Sequence, residues 1–276
     1  MPTLFGRNYQ LQELEAQWGP MYEAVLAILG PAGTILPIGD PYHGQPNATT
    51  FTTVGSEQVT FTWSEAPDSL ATALDLTNPD TFQGTIPIVT FNGSDEEADT
   101  PDAAYWTRGD GSNDSPLSIG AWIYVTDTSN NRQIMCKYTS PQREWIYKIS
   151  GTDKLSLALM DESAGAEPSR ASDSAITMGN WLFAVATYDG AGGASAMDTA
   201  VLYTDGTVEA STAANNGSYV AMEDKTATVD LGHTSAAQFF DGKMAGGPMG
   251  PFFVPKELTP DEVKRLYEIG RRGLVL

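Results

Sequence analysis

Sugar rings stack on aromatic faces while their hydroxyls bond to nearby amides and carboxylates. The chain offers such residues at Tyr105, Trp106, Trp145 and Tyr219, with Asn215 and Asn216 just before the last. These four aromatics and Asn216 are the candidate glycan contacts, and the alternative for each is packing between sheets, where Trp side chains in sandwiches commonly sit. Catalytic material is scarcer. His43 and His233 are the only histidines, which leaves little from which to build a Ser-His-Asp arrangement or a polyhistidine metal centre. Cys136 lies in Ile134-Met135-Cys136-Lys137-Tyr138, which reads as a strand, and is expected to be a small buried residue rather than a reactive thiol. Asp110-Gly111-Ser112-Asn113-Asp114 alternates oxygen donors like a calcium loop but lacks the downstream bidentate Glu, so it reads as a turn. Arg108-Gly109-Asp110 is too short a string to count as an adhesion motif. No catalytic set is assigned, and the chain is expected not to be an enzyme.

Composition narrows the partners. Thirty-five acidic residues against 15 basic ones give a formal charge of -20, which repels nucleic-acid phosphates and anionic membranes alike. No apolar run approaches the roughly 20 residues of a membrane helix, and the opening Met1-Pro2-Thr3-Leu4-Phe5-Gly6-Arg7 lacks the pattern of an export segment. With one cysteine there is no intrachain disulfide. A hydrophobic content of 41% over 276 residues supports a large core.

The elements that position these residues fall into three segments. Residues 1–30 read as a helical N-terminal arm: Leu11, Leu14 and Trp18, then Tyr22, Val25, Leu26 and Leu29, recur at helical spacing, and Gly19-Pro20 predicts a break into two short helices. These stripes need a cover, either the protein's own body or another chain. Residues 31–85 hold a strap rich in Pro and Gly, from Pro31 to Pro46, in which regular structure of any length is not expected, and a hairpin of Thr49–Val54 with Val59–Trp63. That hairpin either stands alone or extends a sheet edge. From residue 86 to 276 the pattern is β. Ile119, Ala121, Ile123 and Val125 alternate with Trp122 and Tyr124; Leu155, Leu157 and Leu159 alternate with Ser156 and Ala158; Phe183 and Val185 alternate with Ala184 and Ala186. Asp189-Gly190, Asp205-Gly206 and Asp241-Gly242 are read as turns. The fold class is all-β, a two-sheet antiparallel sandwich. Near the end Thr259, Pro260 and Glu262 spell a capped helix with Val263, Leu266 and Tyr267 buried and Gly270 as its stop.

The order of these signals resembles the laminin-G-like, concanavalin A-like domains. It runs from Val89-Thr90-Phe91-Asn92-Gly93-Ser94-Asp95 through Trp181-Leu182-Phe183-Ala184-Val185-Ala186-Thr187-Tyr188-Asp189-Gly190, Leu202-Tyr203-Thr204-Asp205-Gly206 and Leu231-Gly232-His233. It closes on Phe239-Phe240-Asp241-Gly242-Lys243-Met244 and the final helix. The resemblance implies a jelly-roll with that helix laid against it. It also implies a calcium ion near a sheet edge, for which Asn92, Asp95 and Asp241 are the candidate ligands, although Met244-Ala245-Gly246 replaces an acidic residue common in the family. Retaining glucanases of this fold carry Glu-x-Asp-x-x-Glu on a strand; here the nearest string, Glu97-Ala98-Asp99-Thr100-Pro101-Asp102, ends in Asp and is placed in the loop after the opening strand. A fold common outside cells, without export signal or disulfide, suits a protein assembled in a host cytoplasm and released by lysis. The functional expectation is therefore a non-enzymatic structural or decoration protein of a bacteriophage-like virion. In this reading it is attached to other virion proteins through the arm, homo-oligomeric, and able to bind surface glycans. The alternatives are a free-standing carbohydrate-binding module and a glycoside hydrolase.

Overall fold

The computed structural model describes residues 4–43, 49–65, 67, 70, 81–127, 129–234 and 238–276, the side chains of 4–15 apart. Helix α1 (Leu4–Leu29) precedes short strands β1 (Thr34–Ile35), β2 (Thr50–Thr52), β3 (Val54–Gly55), β4 (Thr60–Glu65) and β5 (Phe82–Gln83). Then come β6 (Ile86–Asn92), β7 (Glu97–Thr100), β8 (Leu117–Val125), β9 (Arg132–Thr139), β10 (Gln142–Ile149), β11 (Leu155–Leu159) and β12 (Ser169–Ser172). The remaining strands are β13 (Trp181–Tyr188), β14 (Val201–Thr204), β15 (Thr207–Val208), β16 (Ser211–Ala214), β17 (Val229–Leu231), β18 (Asp241–Ala245) and β19 (Phe252–Val254), and helix α2 (Pro260–Leu274) closes the chain.

Two antiparallel sheets result. One has ten strands, ordered β15-β14-β13-β8-β18-β6-β5 with β19, β1 and β3 attached through β8; the other has nine, ordered β16-β12-β11-β10-β9-β17-β7-β4-β2. The alternation read from sequence decides which side chains meet. Ile119, Ala121, Ile123, Ala184 and Ala186 of the first sheet face Trp145, Tyr147, Leu155, Leu157 and Leu159 of the second in one apolar core. The intervening Trp122, Phe183 and Val185 point the other way, into a second core roofed by Trp18, Tyr22, Val25 and Leu29 of α1 and Val263 and Leu266 of α2. Both helices thus cover the ten-stranded sheet. The hairpin joins the edge of the nine-stranded sheet, with β2 paired to β4 and β4 to β7. Asp205-Gly206 turns β14 into β15 with both residues at positive φ, as a type I′ hairpin requires.

Several expectations need correction. The arm is one helix through Pro20, because Gly19 offers no Cβ to the proline ring and Ala16, whose carbonyl loses its helical donor, is an exposed residue. Its stripe is covered by the protein's own second core: Trp18, Tyr22, Val25 and Leu29 are buried and Leu26 is half-buried, so these residues are not a surface for another chain. The side chains of Leu11 and Leu14 lie outside the described residues. Over residues 33–40 the strap is a buried inner wall, with β1 paired to both β19 and β3, and residues 44–46 lie outside the described residues. Asp241-Gly242 opens β18 rather than turning a hairpin; a Cβ on Gly242 would stand 2.0 Å from the Tyr124 carbonyl of β8. The final helix has its capping box. It runs past Gly270 to Leu274, with Val275 in the left-handed cap. Gly270 serves close packing instead: a Cβ there would meet Trp122 Nε1 at 2.1 Å.

Candidate carbohydrate-binding face

Because Phe61, Trp63, Ala98, Trp145, Leu157, Val229 and Leu231 point into the core, the side chains between them form the outer face of the nine-stranded sheet. Register aligns one residue from each strand. Thr50 lies opposite Thr62, Thr62 opposite Asp99, Asp99 opposite Asp230, and Asp230 opposite Cys136. The row continues through Ile146, Ala158 and Ser169 to Ala214. At about 4.8 Å between strands, this cross-strand row runs roughly 38 Å. Its acidic half is flanked by Glu97, one turn of the pleat from Asp99, and its apolar middle is the small cluster of Cys136, Ile146 and Ala158 with Tyr138 packed beside it.

The carboxyls on this face are held toward their protonated forms. Burial is the largest cause for Asp230, 5% exposed, and with the charges of Asp99 and Glu97 it pushes the carboxyl up to about 7 against the opposing hydrogen bond from Thr228. Burial also raises Asp99, and burial plus the Asp99 charge raises Glu97. His233 contacts Glu97 through Nδ1 and stacks on Phe239 at 4.4 Å. Burial lowers its pKa, so a neutral ring donating Nδ1–H to the carboxylate fits both facts. Tyr138 donates its hydroxyl to Glu167 at 2.5 Å, with the Arg143 guanidinium 5.5 Å from its ring centre. Asp230, Cys136, Ile146 and Ala158 are buried, so the accessible members of the row are Thr50, Thr62 and Asp99 at one end and Ser169 and Ala214 at the other; the first three supply hydroxyls and a carboxyl, the chemistry a saccharide needs.

The aromatics singled out from sequence lie elsewhere. Trp106, Trp145 and Tyr219 are core residues. The Trp145 indole donates to the Trp106 carbonyl at 2.9 Å, and the Tyr219 hydroxyl donates to Asp114 at 2.7 Å, so none presents a ring face to a ligand. Tyr105 is half-buried, edge-on to Trp106, with its hydroxyl shared between the carbonyls of Ala32 and Phe253. Asn216 holds its own turn by accepting from Ser218 N at 3.0 Å. The calcium candidates do meet at one sheet end, Asn92 opposite Asp241. Their oxygens are engaged: Asn92 Oδ1 accepts from Ser94 N at 2.8 Å, Asp95 Oδ1 accepts from Asn92 Nδ2 at 2.8 Å, and Asp241 accepts from the Thr126 hydroxyl. The Arg132 guanidinium lies 3.8 Å from Asp241 Oδ2, so a cation already faces that carboxylate. Among the described residues no three His, Cys, Asp or Glu side chains gather as a metal site. Glu97 and Asp99 lie on β7, not in a loop, and Pro101 follows its last residue. Cys136 is buried, donating to the His233 carbonyl at 3.2 Å.

Asp230 and Tyr138 escaped the reading from sequence. Thr228-Val229-Asp230-Leu231 does carry a signal, an acid between two core residues, but only pairing register sets that acid beside Asp99.

A family model described as the concanavalin A-like lectin/glucanases superfamily, of the Laminin_G_3 type, matches residues 92–247, more than half the chain. The chain belongs to this superfamily. No curated protein matches it. Among solved structures, this concanavalin A-like domain is similar to the binding domain of botulinum neurotoxin serotype G, with TM-score 0.58 and 13% identity over 87% of this chain and 51% of the toxin chain. It is also similar to the botulinum neurotoxin DC binding domain in complex with SialylT, with TM-score 0.56 and 11% identity over 87% and 52%. The DC domain in complex with rat synaptotagmin II gives 0.54 and 11% over 85% and 50%. At these identities the likeness is one of fold, and the chain spans about half the length of those structures. The superfamily match begins at Asn92 and ends at Gly247, so it spans most of the cross-strand row and omits both helices.

Proposed function

We propose that this domain binds a glycan, without cleaving it, along the outer face of the nine-stranded sheet, and does so as a surface component of a bacteriophage-like particle. The acidic end of the cross-strand row carries this reading: of the two sheets, one is roofed by helices, and the other leaves Thr50, Thr62 and Asp99 accessible in register on neighbouring strands, while the middle of the row is buried. The complex of one similar domain with SialylT supports it as an analogy of fold. The non-enzymatic part rests on Asp230, whose enclosure at 5% exposure suits hydrogen bonding better than attack at a sugar carbon. The test is a glycan array with the full chain, repeated for Asp99→Asn and Thr62→Arg, together with a reducing-sugar assay. Saccharide binding lost in the variants, with no release of reducing ends, is the expected result. Turnover abolished by Glu97→Gln would replace the reading by a hydrolase. Detection of the chain by mass spectrometry in purified particles tests the setting; its absence there would leave a free-standing lectin.

A further inference from the structure

At one end of the core a lysine is enclosed by more acceptors than it has protons. Lys137 of β9 is fully buried, opposite Trp145 in register. Its Nζ lies 3.0 Å from Asp102 Oδ1 and 3.2 Å from the Thr107 hydroxyl, and contacts Glu144 Oε1 and the Lys225 carbonyl. An ammonium has three protons for these four acceptors. Glu144 is equally buried, at a bulge of β10. Its Oε1 also accepts from Lys225 N at 2.8 Å and from the Thr107 hydroxyl at 3.3 Å, while its Oε2 is buried without a hydrogen-bond partner. Arg108 and Asp224 are the other charged groups near it, Arg108 acting on Glu144 and Asp224 accepting from Thr107 at 3.5 Å.

We propose that Lys137 and Asp102 condense into an intramolecular amide, with Glu144 as the proton carrier. The ammonium gives a proton to Glu144, and the freed nitrogen lone pair attacks the Asp102 carboxyl carbon. The tetrahedral adduct then breaks its C–O bond, and the departing oxygen leaves as water. Its two protons are the one carried by Glu144 and one more from nitrogen. An ammonium and a carboxylate become one amide and one water, so atoms and charge balance without an external reagent. Three features favour the step. Lys137 Nζ is held 3.0 Å from an oxygen of the carboxyl it would attack. Glu144 is pushed up to about 7, chiefly by burial, which suits a group that must both take and return a proton. Full burial of Lys137 and Glu144 penalises their charged forms and not a neutral amide, while Asp102, with its side chain 29% exposed, stands at the rim of the enclosure. The bond would tie the loop after β7 to the middle of the nine-stranded sheet.

Intact mass spectrometry of the purified full chain under denaturing conditions tests this. The expected mass is one water below that of the sequence, with a branched proteolytic peptide joining Asp102 to Lys137. Lys137→Arg should restore the full mass, and Glu144→Gln should restore it wholly or in part. Asp102→Asn should give the same branched product by loss of ammonia. A wild-type chain at full mass would overturn the proposal and leave a buried ion pair. A deficit mapping to Glu144 instead of Asp102 would overturn the assignment of roles.

Discussion

Asp230 shows how a single buried acid shapes the pH response of the fold. Its carboxyl titrates at about 7 in the folded chain, whereas an unfolded Asp titrates near 3.9. Below about pH 4 both states hold the proton; between about 4 and 7 only the folded state does. The unfolded chain therefore gains by ionising first, and this group lowers stability as pH rises through that window. Asp230→Asn retains an acceptor for the Thr228 hydroxyl, 2.7 Å away, and removes the charge. The variant should match the parent near pH 4 and exceed it at pH 8, by on the order of a few kcal/mol, in urea unfolding. A variant less stable than the parent at pH 8 would contradict the burial argument. Gly270 makes a second case at this scale. In an exposed helix Gly→Ala stabilises, but here the added methyl meets the Trp122 indole, so Gly270→Ala should cost about 1–3 kcal/mol.

Among the elements, α1 departs most from its sequence signals. Gly19-Pro20 is a strong local breaker, and the break does not occur, because the cost at Pro20 is confined to a solvated turn while Trp18 and Tyr22 on either side are held by the second core. Trp18 donates its indole N–H to the Thr85 carbonyl at 2.8 Å and stacks on Phe82, so the helix is locked to β5 and its flanking loop. Deleting residues 1–30 should therefore abolish cooperative unfolding rather than leave an intact sandwich. Trp18→Ala alone should cost about 3–5 kcal/mol. A truncated chain with native circular dichroism and a sharp thermal transition would refute this. By contrast α2 was legible, since Thr259, Pro260 and Glu262 act on one another within a single turn. Strand alternation was legible for the same local reason. What stayed hidden was non-local: Trp106 and Trp145 looked like ligand platforms because sequence gives a ring's presence but not its face. The Asp99–Asp230 pair likewise depends on register between segments far apart in the chain.

At the scale of the whole molecule, the two sheets differ in what lies outside them, and that difference predicts opposite responses to one substitution. Val185 and Thr62 both point away from the central core, from the ten- and nine-stranded sheets respectively. Val185 lies under the helices and is fully buried. Thr62 is exposed, opposite Asp99 in the cross-strand row. An arginine at 185 would bury an unpaired cation and should prevent folding. An arginine at 62 stays solvated beside a carboxyl whose pKa burial raises, so stability should change by no more than about 0.5 kcal/mol. Its guanidinium would nonetheless occupy Asp99 as a hydrogen-bond acceptor. Losing one or two hydrogen bonds of about 1 kcal/mol each should weaken saccharide binding about tenfold. Titration calorimetry with a saccharide found on the array, set against thermal denaturation of the same samples, separates the two effects. If Thr62→Arg binds as tightly as the parent, the ligand does not cross the acidic half of the row, and the binding face must lie on another surface of the domain.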